Sequence, residues 1–295
     1  MVDEVVMGVL PEDELRVVLV SATGVARTAR DKHRARPAAA HVLAESLTAA
    51  SLLAALQLQK SSARINLQLE CDGPLRGVFV ESDSVGAVRG YVKNPLVEYE
   101  GHQGAYHWRP VYGNAGFLSV LRDEGSGEFF RSSVELESFD LARDFEHYFS
   151  ASEQLPTGVA IEVVPEGEEP LGRVVGVLLQ ALPGGNVEAL RQRTEALRGG
   201  RLREAIIAAG PELPPAQLLT RLFEGEKLEI TSRYPLEWKC PCSKERVIRA
   251  LLTLGRDELL DMLARDKKAE ATCQFCSSTY VVSDAELAGL IDRLN

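Results

Sequence analysis

The 295-residue sequence is short of base: 33 Lys and Arg stand against 43 Asp and Glu, for a net charge of −10. The deficit is uneven. Residues 232–295 carry ten acidic and ten basic side chains and residues 184–231 seven of each, so all of the excess acid precedes residue 184. Nucleic-acid backbones are held by basic surfaces, which removes nucleic acid from the expected partners. No Gly-x-x-x-x-Gly-Lys-Ser/Thr loop occurs, and Gly125-Ser126-Gly127 lacks the third glycine of a dinucleotide loop, so ATP-driven work is not expected either. No catalytic triad or paired-carboxylate motif stands out by spacing, and the chain does not read as an enzyme. Met1-Val2-Asp3-Glu4 is acidic and no basic region precedes an apolar core, so no secretory signal is expected. The longest apolar stretch, Ala38 to Leu58, contains His41, Glu45, Ser46 and Thr48 and therefore does not read as a membrane span. A reducing cytoplasm is the expected compartment.

Cysteine is scarce too, at five residues, but four of the five form two close pairs. Cys240-Pro241-Cys242 and Cys273-Gln274-Phe275-Cys276 are separated by 30 residues. Each pair offers two sulfurs to one tetrahedral ion, and the intervening segment is long enough to return the second pair to the first, as a four-cysteine zinc site requires. In a reducing compartment such pairs bind metal or sense oxidants more often than they form permanent bridges. The first pair is unusually tight, with a single proline of fixed φ and no N–H between its members. A disulfide across one residue strains the usual Cα separation of ~4.4–6.8 Å, and strained disulfides are easily reduced. Two readings stay open on these residues: a permanent structural zinc, or a zinc that oxidation ejects. Cys273 and Cys276 also have thioredoxin-like spacing, but a strand follows them rather than the helix whose N-terminus would lower a catalytic thiol's pKa.

The remaining sequence reads as an α+β protein in three parts. Residues 5 to 21 form a strand pair around Pro11-Glu12-Asp13. From Pro37, Val42, Leu43, Leu47, Ala50, Leu53, Ala54 and Leu56 fall at helical spacing in an alanine-rich segment, which predicts a buried helix of about twenty residues. Strands are expected at Arg64–Glu70, Leu75–Glu81 and Gly86–Val92 as a meander, then at Gly116–Leu121, Glu128–Val134, Gly158–Val164 and Val174–Leu179, with a helix from about Asp140 to Ser150. Strands and helices in blocks indicate an α+β core domain over residues 1–183. His33 and His41 have no second ligand at metal spacing and read as ordinary histidines, and Cys71 as a small core side chain.

After Pro183-Gly184-Gly185 the pattern changes. Residues 187 to 210 carry Leu190, Leu197, Leu202, Ile206 and Ile207 as sparse apolar anchors among arginines and glutamates, with Gly199-Gly200 interrupting them, and helix resumes from Pro214-Pro215 to Phe223. Residues 184–231 thus read as a weakly held helical linker. Residues 232–295 form a small unit in which Ser243 caps one helix, Leu259, Leu260 and Leu263 mark a second, Thr279–Val282 is a strand, and Ser283 with Glu286 makes a capping box for a final helix. So small a unit has a marginal core. Structural zinc contributes an apparent ~10–16 kcal/mol, comparable to the whole ~5–15 kcal/mol of a small domain, so this one should need its metal to fold.

Lys239-Cys240-Pro241-Cys242-Ser243-Lys244-Glu245-Arg246 and Cys273-Gln274-Phe275-Cys276 with Tyr280 resemble the redox-regulated 33 kDa chaperonin family of bacteria. The likeness runs through Asp72-Gly73-Pro74-Leu75, Val88-Arg89-Gly90-Tyr91-Val92, Tyr148-Phe149-Ser150 with Ser152-Glu153-Gln154-Leu155-Pro156-Thr157, and Leu178-Leu179-Gln180 with Pro183. Pro241 departs from the family, whose members more often carry a basic or small polar residue there. The resemblance implies an ATP-independent holdase, quiescent while one Zn²⁺ per chain is held by Cys240, Cys242, Cys273 and Cys276. On oxidation Cys240 would pair with Cys242 and Cys273 with Cys276, the terminal unit and linker would unfold, and the exposed apolar surface would take up unfolded client proteins, with the active form a homodimer. The competing reading is a zinc-ribbon binding or adaptor module with a permanent structural zinc.

Overall fold

The computed structural model describes residues 2–57, 63–98, 108–210 and 212–294. These divide into two compact units, Met1–Lys239 and Cys240–Asn295. In chain order the first holds strands β1 (Glu4–Leu10) and β2 (Leu15–Ser21), helices α1 (Thr23–His33) and α2 (Pro37–Gln57), and strands β3 (Arg64–Cys71), β4 (Gly77–Asp83) and β5 (Ala87–Val92). A short helix α3 (Arg109–Tyr112), strands β6 (Gly116–Asp123) and β7 (Phe129–Glu135), helix α4 (Leu141–Tyr148), and strands β8 (Thr157–Glu166) and β9 (Glu169–Ala181) follow. Helices α5 (Val187–Ala196), α6 (Leu202–Ala209) and α7 (Pro215–Leu222) and strands β10 (Glu229–Pro235) and β11 (Glu237–Trp238) complete it.

Two sheets result, one ordered β10-β1-β2-β9-β8 and the other β11-β5-β4-β3-β6-β7. The expected meander β3-β4-β5 is present, with every pairing in it antiparallel. Helix α2 packs against strands of both sheets and is buried on all sides, as a helix without a polar face must be. Among the described residues it is the one helix long and apolar enough to cross a membrane, and most of it lies inside this core; Leu58, the end of the apolar stretch, lies outside the described residues. Gly176 permits the close approach: a Cβ there would stand 2.5 Å from the Thr48 methyl group.

The pleat of the first sheet separates two cores. Val18 and Val20 of β2 and Val174 and Leu178 of β9 face α2, whereas Val17, Leu19, Val175, Val177 and Leu179 point to the opposite face. That opposite face is covered by α5, α6, α7 and the residues adjoining them, through Leu190, Leu197, Leu202, Ile206, Leu218, Leu219, Leu222 and Phe223, all buried. The segment expected as a weakly held linker is therefore packed onto a sheet within the first unit. Its interruption is as expected at Gly199-Gly200, where a wide turn over Leu197–Arg201 contains Gly200 at φ +119°. Ile207, expected as an anchor, is exposed.

The division between units falls after Lys239, later than the boundary expected at residue 232, because β10 pairs antiparallel with β1 and β11 pairs in parallel with β5. The second unit contains helices α8 (Lys244–Leu252) and α9 (Arg256–Arg265), a hairpin of β12 (Lys268–Thr272) and β13 (Thr279–Ser283), and helix α10 (Asp284–Asp292). Ser243 caps α8, and the Ser283–Glu286 capping box starts α10, both as the sequence indicates. Its core is small: Leu251, Leu259, Val282, Leu287, Leu290 and Ile291.

Candidate metal centre

Cys240 and Cys242 lie on the extended chain that enters α8, and Cys273 and Cys276 lie on the turn joining β12 to β13. That turn is closed by the Cys273 N–H donating to Ser278 O (2.9 Å) and the Ser277 N–H donating to Cys273 O (2.8 Å). Ser277 takes a left-handed conformation at φ +57°, which bends the chain back toward the first pair. None of the five cysteines is in a disulfide.

The fold brings all four paired cysteines together, their sulfurs within 4.8 Å of one another. Across the two pairs, Cys240 Sγ lies 3.6 Å from Cys273 Sγ, and Cys242 Sγ 3.2 Å from Cys276 Sγ. For metal–sulfur bonds of ~2.3 Å, the edge of a thiolate tetrahedron is about 3.8 Å, so the spacing and the donor set fit one four-coordinate ion. All the sulfurs are mutual neighbours, so proximity by itself does not select a disulfide pairing.

The groups around the cluster act on the charge of Cys242, Cys273 and Cys276. Burial pushes the Cys242 thiol up to about 12 against the pull of the Tyr280 hydroxyl, whose oxygen stands 3.0 Å from Cys242 Sγ. At Cys276 burial acts upward as well, but the hydroxyl and N–H of Ser278 and the neighbouring thiols prevail and hold it down to about 6. Burial raises Cys273, opposed by the backbone N–H groups of Cys276 and Phe275. Beside the cluster, Lys244 Nζ bridges both carboxylate oxygens of Glu286 at 2.7 and 2.8 Å, tying the start of α8 to the start of α10. That the hydroxyls of Tyr280 and Ser278 meet these sulfurs is not legible in the sequence; the signal is a hydroxyl four residues, and another two residues, beyond Cys276.

The other singled-out residues lie elsewhere. Cys71 is half-buried against the main core, and desolvation raises its thiol to about 11, which leaves it unreactive. His33 Nε2 is 3.1 Å from Gly90 O, and His41 pairs with Glu45 at 3.4 Å on the same helix. Both are ordinary structural histidines.

With the cluster and the fold in view, comparison with known proteins gives one answer. The model of the Hsp33 protein family matches residues 3–283. The chain belongs to the Hsp33 family. It is 37% identical over 301 residues to the 33 kDa chaperonin of Acaryochloris marina, covering 100% of this chain and 98% of that one. It is 33% identical to the 33 kDa chaperonin of Halalkalibacterium halodurans over 96% of each chain, and 32% identical to that of Bacillus subtilis over 99% of each. The crystal structure of the 33 kDa chaperonin, a heat shock protein 33 homologue, of Thermotoga maritima superposes with a TM-score of 0.81 at 28% identity, covering 99% of both chains. Hsp33 membership makes this protein a chaperone, and a chaperone binds client proteins. The α+β architecture and the clustered cysteines at the C-terminal end agree with the fold class expected from the sequence.

Proposed function

We propose that this Hsp33 family member is an ATP-independent holdase, active in a reducing cytoplasm under heat and oxidative stress, and held off by one Zn²⁺ on Cys240, Cys242, Cys273 and Cys276. The observation that carries the reading is the placement of four sulfurs within 4.8 Å in a unit whose buried apolar core is six residues. Four soft thiolates in a tetrahedron favour zinc over hard cations. A core of that size does not stabilise 56 residues unaided, so metal binding and folding of the second unit are one equilibrium.

Oxidation removes the ligands. Two peroxide molecules take two electrons each from the thiolate pairs, Cys240 with Cys242 and Cys273 with Cys276; two S–S bonds form, each peroxide O–O bond breaks, and the peroxide oxygens leave as hydroxide, which takes up protons from solvent to become water. The ion loses its donors and the second unit unfolds. The segment of residues 184–231 continues through β10 and β11 directly into Cys240, so disorder starting at the cluster propagates into it. Its release uncovers Val17, Leu19, Val175, Val177 and Leu179, an apolar sheet face of the kind that unfolding clients bind. The active form is a homodimer, and the protein acts by binding rather than by catalysis.

The test is peroxide at elevated temperature. One zinc per chain should be released in step with loss of structure in the second unit and with suppression of client aggregation. A Cys240→Ser, Cys242→Ser variant that responds to oxidant as the native chain does would overturn the assigned roles. A permanent zinc module would instead keep its ion in peroxide.

A further inference from the structure

Tyr280 occupies a position that neither metal ligation nor core packing explains. The β12–β13 pairing sets Tyr280 opposite Ala271 and Val282 opposite Ala269, and alternation along β13 puts Tyr280 and Val282 on the same face. Val282 is fully buried in the core, so that face is fixed, and it carries the Tyr280 ring to the cluster with its hydroxyl oxygen 3.0 Å from Cys242 Sγ. A phenylalanine would fill the same space. What tyrosine adds is one O–H, and a metal-bound thiolate has no proton of its own, so the hydroxyl is the donor.

Four thiolates around a divalent ion leave a surplus of two negative charges, which hydrogen-bond donors stabilise. Cys273 and Cys276 receive backbone N–H groups from their own turn. Pro241, between the first two ligands, has none to give. We propose that Tyr280 is the positioning residue of the first cysteine pair: its hydroxyl holds the Cys242 thiolate in the metal-binding orientation and, by drawing charge from the sulfur, sets how readily the pair is oxidised. The inference rests on the reading of the cluster as a metal-holding oxidation switch. A hydrogen-bonded thiolate is a poorer nucleophile toward peroxide and a better-held ligand, so both metal affinity and oxidant threshold depend on the same O–H.

The experiment uses the full chain loaded with Co²⁺, whose thiolate-to-metal charge-transfer band reports on the sulfurs alone. Tyr280→Phe should shift that band to lower energy, weaken Co²⁺ and Zn²⁺ binding in chelator competition by about 10-fold or more, and speed peroxide-driven metal release, since lost outer-shell partners typically cost ~10–100-fold in affinity. An unshifted band with affinity within about twofold of the native chain would overturn the proposal. Should the variant not fold, the native sequence made with 3-fluorotyrosine provides the second arm. Its more acidic phenols donate more strongly, and the band should move to higher energy; no movement would overturn the proposal equally. A native chain that gives no tetrahedral thiolate spectrum with Co²⁺ would sink the metal reading itself, a result distinct from a normal spectrum that Tyr280→Phe leaves unchanged.

Discussion

Arg198 reaches from the wide turn between α5 and α6 to Glu146 on α4, Nη2 to Oε1 2.7 Å, while its Nε donates to Val159 O at 2.8 Å. The pair fastens the turn between the first two helices of the sheet-covering segment to the core domain. Both side chains are about four-fifths shielded from water, so breaking the pair leaves a poorly solvated charge behind.

Arg198→Ala should therefore loosen residues 184–231 by roughly 1–3 kcal/mol, a discounted value for a partly buried pair. Hydrogen exchange in α5 and α6 would show it. The pH dependence has a definite sign. Burial raises the Glu146 carboxyl above its ordinary 4.5, with Arg198 pulling it back down, so removing the arginine raises it further. A carboxyl whose folded pKa is raised favours the folded state in acid and loses that advantage as pH climbs through the folded value. The deficit of Arg198→Ala should be largest near neutrality and shrink as the pH falls through the raised folded value toward the ordinary one. A deficit independent of pH would place the effect in packing instead.

A second contact holds the same segment. A Cβ on Gly158 would stand 1.9 Å from the Thr194 hydroxyl oxygen and 2.8 Å from the Thr194 Cβ, so only glycine lets α5 lie this close to β8. Gly158→Ala should cost about 1–3 kcal/mol of stability through overpacking and raise exchange in α5 specifically. Melting and exchange indistinguishable from the native chain would refute the tight fit.

In the second unit the core is too small to spare a side chain. Leu259 is fully buried, and Leu259→Ala should cost about 2–5 kcal/mol. With metal bound the unit should survive this loss. Stripping the ion with a chelator should unfold residues 240–294 in the native chain, while β1 to β9 keep their exchange protection. Retention of structure in α8 to α10 after stripping, checked by circular dichroism and exchange, would contradict the coupling of metal to fold.

Much of the local structure was legible because its causes are local. The β1–β2 hairpin, helix α2, and the Ser243 and Ser283 caps follow from alternation, alanine-rich periodicity and side-chain oxygens next to helix starts. Strand β10 was not legible. Its residues are mostly exposed, with Ile230 the one aliphatic member of Glu229–Pro235, and it is held by backbone pairing with β1 and by Arg233 reaching Glu4 at 2.8 Å. Nothing within that window announces a partner more than two hundred residues earlier.

The amino-acid order alone singled out the four cysteines that cluster, since two close cysteine pairs have few uses other than metal binding or redox chemistry, and it determined that the last unit would be small. Only tertiary structure decided that α5 to α7 cover a sheet rather than float as a tether, and that a tyrosine hydroxyl meets Cys242. Those outcomes depend on which distant backbones pair and which faces then meet, and a hydrogen bond between remote strands leaves no mark on either stretch read singly.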